Sequence, residues 1–405
     1  MLACLRYGIK WLMIVLLLLT SVSLVAQEQF GQPKSVLLTQ FSFTQLTGGI
    51  IILNALIDNK KDTLNFIFDT GSGGISFDSA TVEKLAFKRE KSNKTIRGIA
   101  SMRKVDFTYN HTLHLPGLSV DSLDFHINDY DILTSVYGIK IDGIIGYSFL
   151  KRFIVRINYD IQKIEVYTPG NFKYSRGGYV MHPNFTPLPV EEAIIGDERN
   201  IFSRFILDTG AGLNLILSED IVNDSLFIGK KRKRYVSQAE GLGGKKKMTV
   251  TVIKHFKLGP FKFRNIPISI FDDEYNLTSY PLLGGIIGND LLRRFNVVIN
   301  YPEKLIHLTP NSHYAEAFDY AYTGLGIYQI ENEITVIDVI ANSPAEKAGF
   351  LSGDIIIGVA TNFSKNIQSF KNTLQSAGST INVVVSRNGV LHLLKLNIVN
   401  ILKGK

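Results

Sequence analysis

The chain has 405 residues, 45% of them hydrophobic and 20% charged, with a formal net charge of +8. At roughly 100–200 residues per domain several units are expected, and this apolar content excludes wholesale disorder. One long apolar run excludes a polytopic membrane protein, and a single cysteine, Cys4, excludes a disulfide framework, a cysteine-rich zinc site and an iron–sulfur cluster.

Residues 1–26 place Arg6 and Lys10 before an apolar core at 11–19, followed by Thr20, Ser21, Ser23 and Ala26. A positive start, a short apolar middle and a small-residue exit describe a secretory signal peptide. An uncleaved anchor is the rival assignment, but a spanning helix needs about 20 apolar residues, roughly twice the strongest stretch here. The expected location is therefore periplasmic or secreted, with no stable membrane span once the signal is removed. Cys4 leaves with it.

The next 280 residues contain an internal repeat. Phe66-Ile67-Phe68-Asp69-Thr70-Gly71-Ser72-Gly73 reappears as Phe205-Ile206-Leu207-Asp208-Thr209-Gly210-Ala211-Gly212. Each copy follows a polar turn, at Asp58 and Asp197, which reads as a hairpin loop between strands. Downstream, Gly143-Ile144-Ile145-Gly146 matches Gly285-Ile286-Ile287-Gly288, and both continue to Asn-Tyr at 158–159 and 300–301. Residues 97–100 align loosely with 240–243. The pattern predicts a duplicated lobe of mostly strands, with one short helix after Gly146 and another after Gly288.

An Asp-Thr-Gly at the end of an apolar strand delivers a carboxylate to a tight loop. The glycine lets the backbone turn closely, and the threonine hydroxyl can hold the loop. One such tripeptide occurs by accident in ordinary turns. Two in matched lobes, 74 and 77 residues ahead of the paired Gly143 and Gly285, point to a carboxylate pair. A glycosidase also uses two carboxylates, at about 5 Å, but the repeat argues against it.

With these motifs the chain resembles the aspartic peptidases in a single-chain, two-lobed form, and looks closer to bacterial proteins with fused retropepsin-like halves than to pepsin itself. The resemblance covers residues 34–310. It implies a mainly β fold of two pseudo-symmetric acid-protease β-barrel lobes, at 34–180 and 181–312. It implies that Asp69 and Asp208 form a catalytic dyad, that Thr70 and Thr209 cross-brace the loops, and that Gly71, Ser72, Gly210 and Ala211 complete them. Gly146 and Gly288 would pack behind. Gly98, Ile99 and Met102, with Gly241 and Leu242, fall where the family carries its flaps. Two carboxylates held about 3 Å apart share one proton, so the ionised partner activates a water while the protonated one polarises the peptide carbonyl. That route calls for no metal, no cofactor and no covalent intermediate. Ala211 replaces a hydroxyl donor, which predicts a raised lower pKa and an optimum nearer weakly acidic or neutral pH.

From residue 320 the pattern changes. Gly324-Leu325-Gly326-Ile327, Ser343-Pro344-Ala345-Glu346-Lys347-Ala348-Gly349 and Gly353-Asp354 resemble a PDZ domain of the kind attached to bacterial envelope proteases, over 320–402. The resemblance implies a small β-rich α+β domain whose 324–327 segment accepts a C-terminal or extended peptide, with a helix at 367–377 flanking the groove. The rival reading is a spacer packed on the protease with its groove blocked.

Residues 230–247 hold eight Lys and Arg against one acid, so the basic charge describes one region. No RNA- or DNA-binding motif accompanies it; a solvated loop is expected and no nucleic-acid partner. His111 and His114, three apart in a strand, face opposite sides and are expected at the surface, in poor geometry for a metal. The leading reading is an exported aspartic endopeptidase acting on peptide or protein substrates. The alternative is a catalytically silent peptide-binding scaffold.

Overall fold

The computed structural model describes residues 31–185 and 187–403; the expected signal peptide lies outside the described residues. Among these residues no helix is long and apolar enough to cross a membrane. Residues 33–35 and 170–172 belong to a small separate unit, joined internally where Asn171 N donates to Pro33 O and Ser35 N to Asn171 O. The remainder, from Val36, forms the second unit, and it holds both lobes and the C-terminal domain.

The first lobe is a seven-stranded sheet in the spatial order Thr44–Gln45, Ile51–Ile57, Leu64–Phe68, Gly143–Ile145, Ile75–Asp78, Leu118–Asn128, Asp106–Leu115. It closes on itself where Ile57 pairs with Leu113. The second lobe repeats the arrangement: Asn184–Phe185, Pro189–Gly196, Asn200–Asp208, Gly285–Gly288, Leu215–Ser218, Phe261–Phe271, Gly244–Leu258, Tyr235–Gly241. It closes through Ile195 and Phe256. In each lobe the motif strand lies parallel to the glycine strand, Phe66 opposite Gly143 and Phe205 opposite Gly285. A Cβ on Gly143 would strike Ser76 O and the Phe66 ring, and one on Gly285 would strike Ile216 O. Only glycine admits that approach.

A six-stranded sheet joins the lobes, in the order Leu37–Ser42, Lys163–Tyr167, Ile154–Asn158, Phe295–Asn300, Leu305–Pro310, Tyr179–Met181. Its centre is the pairing of the two repeat-related strands, with Val155 opposite Ile299 and Ile157 opposite Val297. All four are buried in a single core cluster that runs through both lobes. The expected 180/181 division falls inside the strand Tyr179–Met181, which pairs with Leu305–Pro310 of this common sheet.

The short helices after the paired glycines are present, at Tyr147–Leu150 and Asn289–Leu292. The repeat also carries helices that alternation did not reveal. Ser79–Lys84 starts on an Asp78 cap and Glu219–Ser225 on a Ser218 cap, each side chain accepting from a backbone N–H of the first turn. Asp131–Tyr137 has no counterpart in the second lobe, where residues 272–284 form turns.

The C-terminal domain is a five-stranded sheet in the order Leu325–Ile330, Glu333–Val339, Ile355–Val359, Thr380–Arg387, Val390–Asn397. Helix Pro344–Ala348 explains its signature: Ser343 caps the first turn, Pro344 needs no N–H there, and Gly349 takes the left-handed conformation that ends it. Buried Asp354 is forked by Arg387 at 2.6 and 2.8 Å. The groove helix is Ile367–Leu374, shorter than expected, and it buries Ile367, Phe370 and Leu374.

His111 departs from expectation. It is only 7% exposed, with Nδ1 2.7 Å from Asp58 Oδ2, Nε2 2.6 Å from Thr108 Oγ1, and its ring 4.4 Å from that of Phe87. The strand is irregular between Thr108 and Leu113, with Asn110 at φ 60°, and from His111 on it alternates, so the ring shares the buried face of Leu113 and Leu115. His114 does lie on the other side and bonds Ser119 Oγ.

The shared sheet makes the lobes one folding unit, so Ile299→Ala should cost about 2–5 kcal/mol. We expect a lower urea midpoint with a single transition; two separated transitions would show that the lobes fold independently.

Candidate active site

Strands Leu64–Phe68 and Asn200–Asp208 end side by side and deliver their Asp-Thr-Gly loops to each other. Thr70 Oγ1 donates to Leu207 O at 2.7 Å and accepts from Thr209 N at 3.0 Å. Thr209 Oγ1 donates to Phe68 O at 3.0 Å and accepts from Thr70 N at 3.1 Å. Both threonines are buried, so each hydroxyl satisfies two backbone groups of the opposite lobe that water does not reach. The glycines are equally reciprocal: a Cβ on Gly71 would collide with the Asp208 carboxyl, and one on Gly210 with that of Asp69. The loops approach this closely because neither residue has a side chain.

Asp69 Oδ1 accepts from Gly71 N at 2.6 Å, with Ser72 contributing its backbone N–H. Asp208 Oδ1 accepts from Gly210 N at 2.7 Å and Ala211 N at 3.1 Å. The two carboxyls lie within hydrogen-bonding reach of each other. Burial pushes both above the ordinary carboxylate range, and the charge of Asp208 pushes Asp69 further, well above it. A pair so placed holds one proton between two acids.

Gly146 and Gly288 stand behind these loops. A Cβ on Gly146 would run into Ser72 O and Gly74 O, and one on Gly288 into Leu213 O and Ala211 O. The same carbonyls take N–H groups from the helix starts: Tyr147 N to Ser72 O at 3.0 Å, and Asn289 N to Ala211 O at 2.6 Å. Each loop is thus backed by its own lobe and crossed by the other.

The hairpin Thr95–Arg97/Met102–Lys104 of the first lobe meets the tip of Tyr235–Gly241/Gly244–Leu258 of the second. Ala100 N donates to Leu242 O at 3.4 Å, and a Cβ on Gly98 would strike that carbonyl. The tips also cross. Leu242 packs against the first-lobe cluster of Leu46, Ile50, Ile67 and Tyr130, which Tyr137 also borders, while Ile99 packs against the second-lobe cluster of Ile206 and Ile216, which Ala211 and Leu213 border. Gly98, Ile99, Gly241 and Leu242 are brought together; Met102 is 52% exposed and stands apart from the tip contact.

Tyr137 was not anticipated from the sequence. Burial raises its hydroxyl pKa, as do the neighbouring charges of Glu240, Asp208 and Asp69. Its helix has no repeat partner, so self-similarity carried no signal for it. The basic run is exposed at Lys230, Lys231, Lys233, Arg234 and Lys247, as expected of a solvated segment, but other members are engaged. Arg232 forks the buried Asp197, with Nε 3.1 Å and Nη2 2.5 Å from Oδ1, and Lys245 pairs with Asp338 of the C-terminal domain at 2.6 Å. Repeat-equivalent turn carboxylates therefore take different partners, His111 at Asp58 and Arg232 at Asp197.

Asp78, Asp129 and Asp131 bring carboxylate oxygens together, but Asp78 is engaged by Lys140 at 2.7 Å and by Tyr130 N. Residues 324–327 begin the edge strand of the C-terminal sheet. Gly324, at φ 70°, packs against Ser343, and Ile327 is buried in the domain core.

A two-lobed β-barrel scaffold with one Asp-Thr-Gly loop per lobe, followed by a five-stranded capped-helix domain, defines a protease with a peptide-recognition module. The aspartyl protease family model matches residues 53–149 and 192–291, and the PDZ domain model matches 321–398. The chain thus carries aspartyl protease domains in two repeated segments, followed by a C-terminal PDZ domain. No curated protein matches it.

Thr70→Val and Thr209→Val keep the shape of the side chain but leave two buried backbone groups unpaired. Each should cost about 1–3 kcal/mol in thermal unfolding. A carboxyl whose folded pKa is raised favours the fold while protonated and loses that advantage as pH rises through the folded value. Asp69→Asn should therefore raise Tm above wild type at pH 8, with the gain shrinking toward acid pH; an equal or lower Tm at pH 8 would contradict the shared-proton arrangement.

Proposed function

We propose that this chain is an exported aspartic endopeptidase that hydrolyses peptide bonds with a water activated between Asp69 and Asp208. The observation that carries the reading is the reciprocal Thr70/Thr209 bonding, which brings two partly buried carboxyls together as a candidate proton-sharing pair. With one proton on the pair, the ionised carboxylate takes a proton from the water as its oxygen attacks the carbonyl carbon. The protonated partner donates to the carbonyl oxygen, and the leaving amine receives a proton as the tetrahedral intermediate collapses. The backbone N–H groups of residues 71, 72, 210 and 211 stabilise the charged form of the pair throughout.

The clusters joined by the flap tips are aliphatic and aromatic, Leu46, Ile50, Ile67 and Tyr137 in the one that holds Leu242 and Ile206, Ile216, Phe271 and Leu283 in the one that holds Ile99. They suit an extended peptide with apolar side chains on both sides of the cut bond. Export rests on the N-terminal signal pattern, and places the enzyme in the periplasm or outside the cell.

Asp69→Asn and Asp208→Asn should each lower cleavage of a mixed peptide library by at least about a hundredfold. Equal, background-level turnover by wild type and both variants across pH 3–8 would favour the silent peptide-binding scaffold. Both pKa values are raised, so the singly protonated pair persists to higher pH and activity should peak at weakly acidic to neutral pH. A peak below about pH 3 would contradict this.

A further inference from the structure

In a PDZ domain an extended peptide lies between an unpaired strand edge and a helix. Here these elements are Leu325–Ile330, which pairs on one side with Glu333–Val339, and Ile367–Leu374. Helix Asp131–Tyr137 of the first protease lobe packs against this strand, and its end enters the space between strand and helix. Gly138, the left-handed end of that helix, sits so close that a Cβ would strike Ile367 Cγ2 and come within 3.3 Å of Gln329 Oε1. Gln368 Nε2 donates to Tyr137 O at 2.9 Å, and Lys371 Nζ donates to Val136 O at 2.7 Å. These are last-turn carbonyls, which have no partner within their own helix, and a cation suits that end of the dipole. Gln368 Oε1 also accepts from Thr47 N and Thr47 Oγ1, at 2.9 and 2.8 Å.

The second-lobe flap is held by the same domain. Lys245 Nζ lies 2.6 Å from Asp338 Oδ2 and 4.7 Å from the centre of the Tyr328 ring. The Tyr328 hydroxyl donates to Glu240 Oε1 at 2.6 Å, and Gln238 Nε2 donates to Asp338 Oδ2 at 3.0 Å. The Tyr322 hydroxyl donates to Val236 O at 2.8 Å. Glu240 precedes Gly241 and Leu242 at the tip, and Leu242 packs in the same cluster as Tyr137. The domain therefore grips both the flap and the helix against which that flap closes.

We propose that the PDZ domain is a fixed positioning arm of the proteolytic site, its peptide groove filled by the chain's own helix end at residues 136–138. Asp338 and Tyr328 set the height of the second flap, and Gln368 and Lys371 set the helix it meets. A free C-terminal peptide enters the groove only by displacing that helix end and loosening the flap. This rests on the endopeptidase reading for its kinetic consequences alone.

The test is a charge exchange in the full chain. Lys245→Asp and Asp338→Lys should each lower kcat/KM about tenfold, mainly by raising KM, with the pH profile and Tm kept. The double exchange should restore at least half of the loss. A merely structural role would instead lower Tm and leave KM unchanged. Hydrogen exchange of amides 235–247 reads the same positioning in Asp208→Asn, which needs no activity: protection should fall in the Asp338→Lys background. If wild type does not cleave, the endopeptidase reading fails and this exchange still decides the positioning. Fluorescent decapeptides with free C-termini, titrated into wild type, should either fail to saturate or reduce flap protection on binding. Unchanged KM and unchanged flap protection in both single exchanges would overturn the proposal, as would saturable peptide binding that leaves flap protection intact.

Discussion

Four hydrogen bonds made by two threonine hydroxyls hold the centre of the molecule. Thr70 and Thr209 each donate to a carbonyl and accept from an N–H of the opposite lobe, in a place water does not reach. Pairing buried backbone groups this way leaves little freedom in how the two loops meet, because a misplaced loop would strand several polar atoms at once. The close approach of the two carboxyls follows. It places like charges together in a buried site, and the resulting rise in their pKa values is the chemical resource the site offers.

The scaffold repeats this near-symmetry outward, and then departs from it. The motif strand, the glycine strand and the backing helix recur in both lobes, and their successors pair at the centre of the common sheet. The repeat-equivalent turns diverge in chemistry, a bulged strand bringing His111 to Asp58 and a basic loop bringing Arg232 to Asp197. The largest departure is helix Asp131–Tyr137, set against turns at 272–284. It is also the first-lobe element against which the PDZ strand packs, and the one that brings Tyr137 to the cleft. Symmetry thus builds the dyad, and its local failure provides the seat for the third domain.

Where the sequence was legible, a local physical requirement explains why. Asp-Thr-Gly twice, with paired glycines at matched distance, marks positions where a Cβ would collide with a carboxyl or a carbonyl. Ser343-Pro344 and Gly349 mark a helix start and stop, and Asp354 marks a buried carboxylate that takes an arginine partner. These signals lie within a few residues and tolerate no substitute, so they can be read in order along the chain. The His111 position was misread because alternation puts the two histidines on opposite faces without saying which face is inward; His111 takes the face of Leu113 and Leu115, which the barrel buries.

The sequence by itself determined the two lobes, the carboxylate pair, the loops that carry them and the identity of the third domain. Tertiary structure decided what these parts do to one another. It decided that the flaps cross, that Tyr137 joins the cleft, that Lys245 answers Asp338 and that Gln368 and Lys371 close the end of a protease helix. Each of those contacts joins residues roughly 90–235 positions apart or depends on an element without a repeat partner. Such contacts are chosen by packing geometry between finished surfaces, and no local pattern of residue types specifies them.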